Sequence, residues 1–135
     1  MNEAYGNWLG EYRWDCWATL TFGMYNPSPV SALRSFDRWL SNSALWLSYC
    51  DVFYFVATEE GRTNSRNHLH ALIGSCSGKT ANRNGLWFEW FRRHGRARIL
   101  PYAKDRGASF YIAKYVSKEF GEWEVGGQWP KRVSA

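Results

Sequence analysis

Two histidines separated by one residue, His68-Leu69-His70, are the sharpest short chemical signal in the chain. The residues around them favour a β-strand, where successive side chains alternate between faces. His68 and His70 then point to one side, while Leu69, Ala71 and Ile73 point to the other, into a core. Two imidazoles on one strand face can share a metal ion. Alone the pair is weak, because His-x-His recurs by chance and two half-exposed sheet histidines would look the same. The preceding segment adds weight, since it ends Thr58-Glu59-Glu60 and joins the histidine strand through a short loop. In an antiparallel hairpin those carboxylates lie close to the imidazoles. Two histidines and one carboxylate make a three-ligand site with open positions, suited to Mg²⁺ or Mn²⁺. Adjacent strand residues face opposite ways, so only one glutamate can serve. Glu60 is the expected ligand, and a bulge at the strand end would substitute Glu59.

The second signal is Tyr111-Ile112-Ala113-Lys114-Tyr115-Val116-Ser117-Lys118. With Tyr111 at zero on a helix, Tyr115 falls at about +40°, Lys118 at about −20° and Lys114 at about −60°. Two phenols and two ammoniums therefore share one stripe, and Ile112, Ala113, Val116 and Phe120 take the other side. An ordinary amphipathic helix with snorkelling lysines would give the same pattern. The chemical alternative is a tyrosine nucleophile beside cations that hold a phosphate. A phenol titrates near 10 and is a poor nucleophile at neutral pH without help from charge or metal. Neighbouring lysines favour the phenolate.

The elements that must position these groups can be read from patterning. Residues 16–22 are β-branched and aromatic and predict a strand. Residues 30–48 carry Val30, Leu33, Phe36, Leu40 and Leu47 near helical spacing after a Pro/Ser start. Residues 52–59 form a nearly continuous apolar run and predict a central strand. Residues 68–73 return as its neighbour. Residues 80–94 predict a helix with Leu86, Trp87, Trp90 and Phe91 inward and Arg92 and Arg93 at its basic end. A fourth strand is expected over 96–102 and a third helix over 105–120, while 121–129 suggest a small hairpin. The order βαββαβα implies an α+β fold, an antiparallel sheet flanked by helices of ferredoxin or RNA-recognition type. Such a fold decides no function alone.

Composition bounds the partners. The 135 residues suit a single domain, with a core over about 15–120 and a C-terminal tail over 121–135. Seventeen Lys and Arg against twelve Asp and Glu give a net charge of +5, and 19% of the residues are aromatic. That basic, aromatic balance is the footprint of a nucleic-acid binder and argues against disorder. No apolar run approaches the ~20 residues of a membrane span. Met1 to Gly10 lacks a basic start and an apolar stretch, so no secretory signal is expected. Cys16, Cys50 and Cys76 read as reduced thiols of a cytoplasmic protein.

Arg92, Arg93, Arg96 and Arg98 form the densest basic run and are expected to grip DNA phosphates, although a merely solvated face would look alike. Gly74-Ser75-Cys76-Ser77-Gly78-Lys79-Thr80 imitates a phosphate-binding loop but has three residues between its glycines where four are needed. ATP binding is not expected. His94, between Arg93 and Gly95, reads as a helix-end residue rather than a third histidine ligand.

Taken together and in order, these segments resemble the HUH endonuclease superfamily, the rolling-circle replication initiators of plasmids, single-stranded DNA phages and small viruses. Trp17-Ala18-Thr19-Leu20-Thr21-Phe22 is similar to that family's first, structural motif. His68-Leu69-His70 is similar to its histidine motif, with Glu60 at the acidic metal ligand, and Tyr111 to Lys118 is similar to its tyrosine motif. The pair of tyrosines four apart looks most like the two-tyrosine branch. The resemblance implies an HUH nuclease fold, a divalent metal on Glu60, His68 and His70, and nicking and rejoining of single-stranded DNA through a 5′-phosphotyrosine. It implies Tyr115 as first nucleophile, Tyr111 as second, and Lys114 and Lys118 steadying the phosphate or phenolate. Many members carry a helicase domain that these residues lack, so either a host helicase and polymerase are expected partners or these residues are only a nuclease module. Two other readings compete: a non-catalytic module that binds single-stranded nucleic acid, and a related single-strand transposase, which uses one tyrosine.

Overall fold

The computed structural model describes residues 2–23, 25–41, 52–59, 67–76, 82–103, 107–113, 122–127 and 129. Helix α1 (Asn2–Leu9) leads into strand β1 (Cys16–Thr21), followed by α2 (Pro29–Ser41), β2 (Val52–Glu59) and β3 (His68–Ser75). Then come α3 (Arg83–Arg93), β4 (Ala97–Pro101), α4 (Ala108–Ala113) and β5 (Trp123–Gly127). The strands form one sheet in the order β4-β1-β3-β2-β5, with every neighbouring pair antiparallel. This is the expected α+β architecture. Its first four strands have ferredoxin-type order, in which the hairpin β2–β3 puts β3 between β1 and β2.

Alternation along the strands sorts side chains into two cores. On the back face, Cys16, Ala18 and Leu20 of β1 join Leu69, Ala71 and Ile73 of β3 and Val52 and Val56 of β2. Phe36, Trp39 and Leu40 of α2 and Leu86 and Trp90 of α3 close over them. On the front face, Phe53, Phe55, Ala57 and Leu72 meet Leu9, Trp14, Ile112 and Ala113. Local chemistry sets the helix starts. The Ser28 hydroxyl accepts from the Ser31 N–H at 3.2 Å just ahead of Pro29, and Asn82 Oδ1 accepts from the Gly85 N–H at 3.1 Å. Two indoles of the cores have their N–H groups paired: Trp14 donates to the Leu9 carbonyl at 2.7 Å and Trp90 to the Thr21 carbonyl at 2.9 Å.

Three expectations change. Sequence patterning gave no sign of α1, which covers the front face with α4. Residues 123–127 do not fold into a hairpin of their own; they extend the sheet as β5, from Phe53↔Gly127 to Ala57↔Trp123. The outer edge of β2 would otherwise present unpaired backbone beside Phe53, Phe55 and Ala57, all fully buried. Gly127 makes the join possible, because its φ of +84° is left-handed and a side chain there would run into the Val52 carbonyl. Finally, Trp87 and Phe91 face solvent rather than the core. Leu86 and Trp90 form one i, i+4 stripe, and Trp87 and Phe91 form another about 100° around the helix. Only one stripe can lie on the sheet, and Trp90 is held there by the Thr21 carbonyl and by Trp39.

Candidate metal centre

The β2–β3 register builds the site. Pairing runs unbroken from Val52↔Ser75 to Glu59↔His68, with Ala57 opposite His70. Directly paired residues share a face, so Glu59, His68 and His70 all stand on the front. Glu59 Oε1 lies 2.9 Å from His70 Nε2 and 3.6 Å from His68 Nδ1. One donor atom from each of the three residues falls within 4.8 Å of the others. Among the described residues the carboxylate of this cluster is Glu59, and the unbroken ladder reaches it without a bulge. Glu60, the ligand expected from sequence, lies outside the described residues.

The three ligands differ in burial. The His70 side chain is 5% exposed, whereas His68 is 34% and Glu59 31% exposed. The cluster is thus anchored on the sheet at His70 and open to solvent along its other side. Burial acts to raise the Glu59 carboxyl, but the hydrogen bond and charge of His70, followed by those of His68, outweigh it and hold the group below its ordinary value. An ionised carboxylate only accepts, so the imidazole N–H of His70 donates to it. Two imidazole nitrogens and a carboxylate oxygen, converging and partly open, form a donor set that fits a divalent cation with room for water or phosphate oxygens.

The surroundings are polar and basic on one side and apolar on the other. Across β1, Thr21 is opposite His68 and Thr19 is opposite His70. One strand further, Arg98 of β4 is opposite Thr19. Trp17, Thr19, Arg98 and Leu100 line a shallow pocket on this same face. Helix α4 packs onto the front face through Ile112 and Ala113. Tyr111 belongs to this helix. Lys114, Tyr115 and Lys118 lie outside the described residues.

The arginine run divides. Arg98 is on the front face with Glu59, His68 and His70, while exposed Arg92 and Arg93 lie on α3, behind the sheet, and Arg96 lies between. Arg92 and Arg93 both approach Glu89 Oε2, at 3.0 and 3.8 Å. His94 closes α3: its Nδ1 is 3.2 Å from the Tyr25 hydroxyl and its ring is 4.3 Å from that of Trp90. Burial, then the charges of Arg38 and Arg93, lower its pKa and keep it neutral near pH 7. Gly74, the first glycine of the apparent phosphate-binding pattern, is a packing residue in β3, where a side chain would meet the Phe53 ring and the Arg13 carbonyl. Sequence reading missed Thr19 and Thr21 as neighbours of the ligands. Their alternation with Ala18 and Leu20 was the available signal.

No helix among the described residues is long and apolar enough to cross a membrane. A family model for the replication-associated protein ORF2 group matches residues 15–120. No curated protein and no solved structure gives a significant match.

Proposed function

The chain belongs to the replication-associated protein ORF2 family, and from that premise we propose that it is a replication initiator endonuclease of HUH type. It nicks and rejoins single-stranded DNA at an origin, in support of rolling-circle replication. The observation that carries this reading is the convergence of Glu59, His68 and His70 on the sheet face that α4, the helix of Tyr111, also covers. A binding module needs exposed aromatics and cations, and has no use for two histidines and a carboxylate within ligand distance.

Glu59, His68 and His70 would hold Mg²⁺ or Mn²⁺, which when bound polarises the scissile phosphate as a Lewis acid. Tyr115 is the proposed first nucleophile. Its phenolate oxygen forms a bond to phosphorus, the bond from phosphorus to the 3′-oxygen breaks, and that oxygen leaves as a 3′-hydroxyl after taking up a proton. The 5′ end remains on the tyrosine as a phosphodiester. Lys114 and Lys118 favour the phenolate and hold non-bridging oxygens. Tyr111, four residues earlier in the sequence, receives the second transfer. On the same face Thr19 stands opposite His70 and Arg98 opposite Thr19, and both would hold the DNA backbone leading to the site. Host helicase and polymerase would open and copy the DNA.

The test is direct. Full-length protein is incubated with pooled single-stranded DNA and Mn²⁺ and run on a denaturing gel. A covalent protein–DNA band that needs metal and is lost in Glu59→Ala supports the assignment. Cleavage with no adduct replaces the tyrosine by activated water, and binding with no cleavage leaves a non-catalytic module.

A further inference from the structure

Helix α3 turns three aromatic rings to solvent: Trp87 is 40%, Phe88 54% and Phe91 50% exposed. The Trp87 and Phe91 rings are stacked, with centroids 5.0 Å apart and planes 10° from parallel. Exposed aromatics grouped this way are unusual, because a helix on a sheet normally presents polar residues outward. The stripe holds no exposed aliphatic side chain. Its other exposed members are Asn84, Arg92 and Arg93, and the helix carries a single carboxylate, Glu89. Aromatic faces beside arginines are the composition that stacks successive bases while holding their phosphates. A protein-docking stripe of the helix-in-groove kind would instead mix in aliphatic anchors.

Chain continuity links this stripe to the metal face. From the end of α3 the chain passes exposed Arg96 and enters β4, an edge strand of the sheet. Within β4, Arg98 faces front opposite Thr19, which is itself opposite His70. Positive charge therefore runs from Arg92 and Arg93 behind the sheet, past Arg96 at the edge, to Arg98 at the site. We propose that the Trp87–Phe91 stack, with Phe88 and the adjoining arginines, is a second platform for single-stranded DNA, reached around the β4 edge from the metal face. The path of the strand rests on the nuclease reading; the platform itself does not.

Binding of fluorescein-labelled oligo(dT) to the full chain is measured in EDTA, so that no cleavage contributes. The double variant Trp87→Ala/Phe91→Ala is expected to lose about 5- to 150-fold in affinity for a 20-mer, the effect of one base losing its stacking partner. Its salt dependence should stay unchanged, because stacking releases no counterions. Trp87→Phe should restore most of the binding. Independently of any variant, ultraviolet cross-linking of a 5-iodouracil 20-mer to the wild-type chain should place adducts on the peptide spanning Trp87 to Phe91. Unaltered 20-mer affinity in the double variant, with cross-links elsewhere, overturns the proposal. So does a dimer in sedimentation that Trp87→Ala/Phe91→Ala dissolves, which would make the stripe a contact between copies. A nuclease that fails is seen separately, as absence of the metal-dependent adduct while cross-links to Trp87 or Phe91 persist.

Discussion

Glu59 binds its diagonal neighbour more closely than the residue directly across from it. The register pairs Glu59 with His68, yet its Oε1 lies 2.9 Å from His70 Nε2 and 3.6 Å from His68 Nδ1. Directly opposite His70 stands Ala57, whose methyl leaves space for the carboxylate to lean along the sheet. Diagonal cross-strand neighbours are within reach of long side chains. The lean brings one carboxylate between two imidazoles.

That geometry makes Glu59 the carboxylate whose loss matters. Glu59→Ala should abolish Mn²⁺-dependent cleavage and remove the rise in melting temperature that Mn²⁺ gives the wild type. At a hundredfold excess over Kd that stabilisation is about 2.7 kcal/mol. Glu60→Ala should keep both. His68→Ala/His70→Ala should behave like Glu59→Ala, with far-ultraviolet circular dichroism showing a retained fold. A Glu60→Ala protein that loses Mn²⁺ stabilisation while Glu59→Ala keeps it would move the ligand one residue along.

A pH dependence should arise on the opposite face of the sheet from the candidate metal site, between α2 and β5. The Tyr54 hydroxyl donates to Asp37 Oδ1 at 2.7 Å and lies 3.4 Å from Glu124 Oε1. Burial first, then the charge of Asp37 and a hydrogen bond with it, push Glu124 up to about 7. Its folded value then exceeds the unfolded one of about 4.3, so the folded chain holds the extra proton between them. Stability from this group is complete below the unfolded value and is lost as pH rises through about 7. Glu124→Gln should flatten that fall and melt higher than wild type at pH 8. Parallel melting curves for the two proteins from pH 5 to 8 would refute it.

The tyrosines should separate by step. Phenylalanine keeps the ring and deletes only the attacking oxygen. Tyr115→Phe should remove most initial cleavage, by a hundredfold or more on the order of a lost nucleophile. Tyr111→Phe should retain first cleavage and impair transfer from a preformed adduct. Mass spectrometry of the DNA-linked peptide reads the outcome; an adduct only on Tyr111 would reverse the roles.

Arg96 and Arg98 should contribute differently although two residues apart. Each lost phosphate contact should flatten the log–log salt dependence of single-strand binding by about 0.7. Arg98→Ala should also slow cleavage of a short oligonucleotide, since Arg98 faces the site across Thr19. Arg96→Ala should weaken binding alone. Equal cleavage rates in the two variants would place both on a merely solvated surface.

Strand positions were legible from β-branched, aromatic and apolar runs, and the shared face of the two histidines from a period of two. Residues 52–59 alternate too little to show their faces but are apolar enough to be central, and His68 and His70 share a face in any strand. That Glu59 stands within ligand distance of both histidines was not legible. It follows from the register of β2 on β3, which hydrogen bonds across the sheet determine and which no local propensity encodes. The same holds for α3, whose two aromatic i, i+4 stripes are equivalent until Trp39 and the Thr21 carbonyl claim Trp90. Residues 123–127 carried strand character by themselves, but their partner, β2, lies some seventy positions earlier. The arginines read as one cluster along the chain, and the β4 edge divides them between two faces. Composition and periodicity marked the strands and the helices α2, α3 and α4 but not α1; long-range pairing decided which side chains meet.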